Sequence, residues 1–241
     1  RVAEKVKTTE PGVLIYGGHW EHEMFDNKQW PTKELLDEVA PNNPVALRRT
    51  DGHSVLVNSY VLKASGITKD TPDPFGGEIQ KDAVSGEPTG IFKESASSLL
   101  TYNAKQVELT DEEKAAKKLK GWQAAFDYAA RLGVTSIQYP GGGDADFFKE
   151  WQAQGRLTSR IDVAGRLTYD PARLAQFDAV RKAYPQDGNW IRFGYMKGFI
   201  DGTLGSATLL LFEPMEDEPD KTGLPQMTYE ELEKRVVACD A

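Results

Sequence analysis

The sequence predicts an α/β fold in two parts: a mixed first half, and a second half built from parallel βα units. Two observations carry this. After residue 110, capped helical segments alternate with β-branched runs at intervals of roughly 30 residues, the pattern of parallel strands joined by helices. Before it, short strand-like runs lie among turn-rich segments, with one strong hairpin signal at Asp51-Gly52. Both the barrel and the open doubly wound sheet fit the second half.

The second half reads in order. Thr110-Asp-Glu-Glu113 is a capping box, followed by Leu119, Trp122, Phe126 and Ala130 at helical spacing and by Gly133 as the stop. VTSIQY (134–139) is a strand. After the PGGGD loop (140–144), Asp144 caps a helix carrying Phe147, Phe148 and Trp151, closed by Gly155. IDVAGRLTY (161–169) is the next strand. Asp170-Pro171 opens a helix with Leu174, Phe177 and Val180 that stops before Pro185. WIRFGYMKGFID (190–201) is a third strand. Thr228-Tyr-Glu-Glu231 is a second capping box, opening a helix with Leu232 and Val236. A fourth strand would be due after it, so the chain is expected to be an interior piece of a larger enzyme with an open sheet edge.

The first half holds a strand at VLIYGG (13–18), a short helix at 32–39, and strands PVALRR (44–49) and HSVLVNS (53–59) around the Asp51-Gly52 turn. Asn58 or Ser59 caps a helix closed by Gly66. Residues 67–90 are rich in turn formers and charge, and read as an irregular excursion with a brief strand at 78–80. The boundary between halves falls near 107–111.

Composition narrows the function. The net charge is -8 with both signs interspersed, which argues against a nucleic-acid or anionic-membrane partner. No apolar stretch reaches the roughly 18 residues that span a bilayer. One cysteine, Cys239, excludes a disulfide framework and a cysteine-rich metal site. The three histidines are His19, His22 and His53. His19 and His22 form an H-x-x-H pair whose spacing and strand-end context disfavour zinc.

Four residues stand out. Lys197 lies near the C-terminal end of the third strand, on one face with Ile191, Phe193, Tyr195 and Phe199 by simple alternation. Both faces of a parallel sheet are covered, so this lysine is expected to be buried, at a cost unless it is paired or functional. It could act as a base, a Schiff-base amine or, once carboxylated, a metal ligand; pairing with Asp201 is the structural alternative. Asp201 opens the DGTLGS loop, whose glycines would let it approach a ligand. His53 and Asp51 sit at the hairpin turn, where a loop histidine can contact substrate.

With these segments in place, the chain resembles the amidohydrolase superfamily, and within it the amidohydrolase-3 group that includes N-substituted formamide deformylases. The resemblance is carried by PVALRRTDGHSVLVNSYVLKASGI (44–67), GGEIQKD and SGEPTGIFKESA (76–96), LGVTSIQ (132–138) and MKGFIDGTLGSAT (196–208). It implies a partial (β/α)8 barrel. Residues 1–108 would be a mixed α+β insertion between barrel strands one and two, and residues 109–241 would supply strands two to four. It further implies a divalent metal, usually zinc, that activates water against an amide-like C–N bond, with Lys197 at the ligand position of strand four. The remaining ligands would lie outside this sequence, so the isolated chain is expected to hold no metal tightly and to be inactive. His53, Asp51 and Asp201 would line the pocket of a small amide-like substrate. Two other readings remain: a non-catalytic oligomerisation or gating module, and a Schiff-base lysine barrel enzyme. Self-association through open sheet edges is compatible with the sequence, and the cellular compartment stays open between cytoplasm and export.

Overall fold

The structure is a computed structural model that describes residues 1–105, 109–141, 143–185, 188–216 and 219–240. The expected boundary at residue 108 and the middle glycine of the PGGGD loop lie outside the described residues. The fold is mixed α/β, and the chain divides into two compact units. One comprises Arg1–Val107 with Phe199–Met227; the other comprises Glu108–Gly198 with Thr228–Ala241.

The first unit carries strands β1 (Ile15–Trp20), β2 (Val45–Arg49), β3 (Ser54–Val57), β4 (Gly77–Lys81) and β5 (Pro88–Glu94). They form one sheet in the order β1-β2-β3-β5-β4, with β1 parallel to β2 and the other pairs antiparallel. Helices α1 (Val2–Val6) and α2 (Glu34–Asp37) contribute to one face, and α3 (Ser59–Ser65) to the other. Alternation divides the core between these faces. Val45, Leu56 and Ile91 join Ile15 and Leu36 on the first. Ala46, Val55, Val57 and Phe92 join Val61 and Leu62 on the second.

Asn58 fixes the β3–α3 corner. Its buried side chain accepts from the backbone N–H of Val45 (3.1 Å) and Val61 (3.4 Å), and donates to the carbonyls of Ala40 (3.1 Å) and Asn43 (2.9 Å). Every hydrogen-bonding position of the amide is used, which offsets the cost of burying it. Gly66 closes α3 at φ 66, in the left-handed region.

The excursion expected at 67–90 is more ordered than its composition suggests. β4 spans Gly77–Lys81, and β5 begins at Pro88 and runs beside β3 in the interior of the sheet. The reason β5 escapes a pattern search is physical. Ile91, Phe92 and Lys93 are all fully buried, so the strand shows no polar alternation. Lys93 reaches the Glu78 carboxylate at 3.6 Å and lies 4.9 Å from the centre of the Trp30 ring.

The second unit alternates α4 (Asp111–Arg131), β6 (Ser136–Tyr139), α5 (Ala145–Ala153), β7 (Arg160–Arg166), α6 (Pro171–Ala183) and β8 (Ile191–Lys197), with α7 (Tyr229–Asp240) returning to it. The three strands are parallel, in the order β6-β7-β8. The helices bury an aromatic cluster of Phe126, Phe148 and Trp151 against Ile161, Val163, Ile191 and Phe193.

Several local details differ from the sequence reading. The Thr110 capping box forms in full, but Leu119 and Ala130 are exposed and Ala129 is buried in their place. Asp144 makes no side-chain cap; its carboxylate accepts instead from Lys118 Nζ (2.6 Å) and Tyr139 Oη (2.7 Å). That bond and burial push the Tyr139 phenol up to about 12, burial acting most strongly. At Thr228 only the hydroxyl half of the box forms, because Glu231 is engaged by Arg235. β8 ends at Lys197, not Asp201.

The largest correction concerns β8. The register runs Val163 opposite Phe193 and then Ala164 opposite Tyr195, so a bulge falls at Gly194. Ile191 and Phe193 enter the helix-packed cluster, and so does Met196. The one-residue slip therefore puts Lys197 on the opposite face from Ile191 and Phe193, with Arg192. Lys197 is half-buried, not buried as a parallel sheet covered on both faces implied.

Candidate functional site

The first unit holds a cavity of about 740 Å³ whose walls include Tyr16, Arg48, His53, Glu94, Tyr102 and Phe199. Its polar end is assembled by the β2–β3 hairpin, the end of β5 and the loop after residue 199. The hairpin turn closes with Gly52 at φ 80, where its carbonyl accepts from Arg48 (2.7 Å). This geometry delivers Asp51 and His53 to the cavity from the turn between two interior strands, β2 and β3.

His53 is held by Glu94. Its Nδ1 lies 2.8 and 3.0 Å from the two carboxylate oxygens. The Glu94 side chain is 8% exposed and also accepts from the Thr208 hydroxyl at 2.6 Å, with Thr208 itself fully buried. Glu94 has φ 49 and ψ -128, a conformation that non-glycine residues rarely adopt. Strain of this kind costs about 1–3 kcal/mol and persists only where neighbouring structure enforces it. The backbone of Gly202 comes so close that an added Cβ would collide with Thr208 and the Glu94 carboxylate.

Asp51 anchors the turn. Its carboxylate accepts from the His53 backbone N–H (3.0 Å) and the Ser206 hydroxyl (2.8 Å), and it pairs with Arg49. Burial acts to raise its pKa, but the His53 N–H, Ser206 and Arg49 outweigh burial and hold the carboxyl below its usual value. Ser206 also bonds Ser54 (2.7 Å). Arg49 is buried, pairs with both Glu21 and Asp51, and lies over Trp30 at 5.5 Å.

The four residues singled out from the sequence thus fall into different places. His53 and Asp51 line one cavity. Asp201 accepts the Leu210 N–H at 3.0 Å, closing its own loop, and is not among the residues lining that cavity. The DGTLGS glycines bring the loop against Glu94, Thr208 and Arg49, that is, against protein side chains. Lys197 ends β8 in the second unit. His22 is buried and stacks on Trp30 with ring centres 4.5 Å apart, while His19 is exposed. Among the described residues, no three His, Cys, Asp or Glu side chains are grouped to hold a metal ion. None of the helices is long and apolar enough to cross a membrane, again among the described residues.

Glu94, Arg49, Ser206 and Thr208 were not anticipated as site residues. A signal existed: Glu94 lies in SGEPTGIFKESA, Ser206 and Thr208 in MKGFIDGTLGSAT, and Arg49 in the stretch before Asp51.

Residues 1–241 match the profile of the Amidohydrolase family. The chain is 31% identical over 251 residues to "Protein LONG AFTER FAR-RED 3" of Arabidopsis thaliana, covering 99% of this chain and 41% of that protein. It is 31% identical over 205 residues to "N-substituted formamide deformylase" of Arthrobacter pascens, covering 79% of this chain and 35% of that protein. Among solved structures, it matches an uncharacterized metal-dependent hydrolase from Pyrococcus horikoshii OT3 with a TM-score of 0.53 and 22% identity, over 99% of this chain and 44% of that one. The likeness to that structure is one of fold. The chain spans less than half the length of each of these proteins.

Proposed function

The chain belongs to the amidohydrolase family, and from that premise we propose that it forms part of a metal-dependent hydrolase acting on non-peptide C–N bonds of the amide or formamide type. The observation that carries the reading is the match of the whole chain to the family, together with a relative named for formamide deformylation. In this reaction water adds across the C–N bond: hydroxyl goes to the acyl carbon and a proton to the departing amine. A divalent cation, zinc by our reading, would supply a Lewis acid at the acyl oxygen and lower the pKa of water.

Lys197 is the one residue of this chain to which we assign a place at that metal, as a carboxylated lysine. Its position at the C-terminal end of β8, on the face turned away from the helix-packed cluster, supports the assignment. In a (β/α) barrel that face is the interior and that end carries the active site. We read β6, β7 and β8 as barrel strands two to four, with residues 1–108 as an insertion after strand one. The described residues alone do not make a metal site, so a metal would draw its other ligands from elsewhere in the whole protein. By this reading the isolated chain is inactive.

We further assign His53 and Asp51 to the substrate-facing wall; the cavity they line supports this. Asp201 would act indirectly, by shaping the loop that carries Ser206 and Thr208. The test is metal analysis of the full-length protein with an assay on N-substituted amides. Stoichiometric metal and hydrolysis are expected; a metal-free, inactive full-length protein would sink the proposal.

A further inference from the structure

Glu94 is the most constrained ionisable residue around the cavity. Its backbone is strained at φ 49, its carboxylate is nearly sealed from solvent, and both oxygens are spent on His53 and Thr208. A buried carboxylate can only accept, so the Nδ1 facing it must carry the hydrogen. In the neutral ring Nε2 then has a bare lone pair. His53 lines the cavity, and its Nε2 makes no hydrogen bond among the described residues. Thr208 donates its hydroxyl to Glu94, which leaves the carboxylate less able to rotate away. Gly202 closes over the pair.

We infer that Glu94 is a positioning residue that locks His53 in the Nδ1–H tautomer, so that Nε2 accepts a hydrogen bond from an N–H donor of a ligand in this cavity. Taken together with the amide reading above, the ligand class is a primary or secondary amide, and not a tertiary amide, which has no N–H to donate. The inference rests on the reading of this cavity as substrate-facing, but the tautomer and the donor preference are measurable on this chain without metal or turnover. A histidine reads such a donor by geometry: the dyad sets both the ring orientation and the lone pair, as second-sphere carboxylates do for other functional histidines.

Histidine-selective ¹⁵N NMR on the 241-residue chain tests this, with the three histidines assigned through His19→Gln and His53→Gln. At alkaline pH the His53 ring should show protonated Nδ1 and bare Nε2. N-methylacetamide should shift the Nε2 resonance, and N,N-dimethylacetamide, which has no N–H, should not. Glu94→Ala should abolish the single tautomer and weaken the N-methylacetamide response severalfold, because the ring is then free to carry its proton on Nε2. Glu94→Gln, which keeps a carbonyl acceptor, should restore the tautomer. Should Glu94→Ala fail to fold, the unsubstituted chain still decides the matter. An Nε2–H tautomer there, or equal responses to the two amides, overturns the inference. A metal-free full-length protein would defeat the hydrolase reading and leave this result standing.

Discussion

Replacing Arg49 by methionine should loosen the hairpin that carries the cavity wall. Arg49 is 3% exposed and bridges two carboxylates, Glu21 and Asp51, while its guanidinium lies over Trp30. Methionine fills similar space but leaves both carboxylates without their cation. Removing one partner of a buried ion pair costs about 3–5 kcal/mol, because the charge left behind is uncompensated. Asp51 and Glu21 keep some access to solvent, at 16% and 28%, so the lower end of that range is expected. The pH dependence follows from Asp51. Its folded pKa lies below its unfolded value, so it stabilises the fold above the unfolded pKa, and that contribution is lost as pH falls through the folded pKa. Losing Arg49 raises the folded value, so the penalty should be largest near neutrality and shrink as the pH falls through and below the ordinary aspartate range. Hydrogen-exchange mass spectrometry of peptides covering 44–58 reads this directly. A loss of about 3 kcal/mol accelerates exchange by opening roughly a hundredfold. Protection within about fivefold of the parent, or a penalty that grows with acid, would refute the reasoning.

Two further outcomes follow from the packing. Asn58→Ala removes four buried side-chain hydrogen bonds, although the Val61 N–H keeps its bond to the residue-58 carbonyl at 3.0 Å, and should cost about 2–4 kcal/mol in the same exchange experiment, with the β3–α3 corner opening first. Ultraviolet titration should find two phenols ionising near 12, Tyr139 and Tyr184, of which Asp144→Asn lowers only Tyr139, since burial and the Tyr139–Asp144 bond both raise it; no change on that substitution would remove Asp144 as a cause.

The second unit was legible in the sequence because its signals are local. Thr110 and Glu113 specify one helix start, and Asp170-Pro171 another whose cap forms at 2.9 Å. Three parallel strands emerged where β-branched runs met those caps. What local pattern could not supply was the bulge at Gly194, which inverts the face of everything after it, Lys197 included. In the first unit the hairpin at Asp51-Gly52 and the Asn58 cap were legible for the same reason. β5 was not: a strand buried on both faces lacks alternation, and its lysine looks like a surface residue until the Glu78 carboxylate and Trp30 ring are placed around it. The candidate site divided likewise. His53 and Asp51 could be named from a turn, but Glu94 and Thr208 lie 41 and 155 positions beyond His53, and only the tertiary fold brings the three together.

The assignment of Lys197 to a metal is the centre of the functional account, and metal content is its most direct test. Full-length protein and its Lys197→Met form should be purified alongside and analysed for bound divalent metal, with circular dichroism to verify that both fold. The account predicts stoichiometric metal in the parent and at least a tenfold lower content in the variant, with amide hydrolysis lost in step. A folded Lys197→Met protein that retains its metal and activity would contradict it.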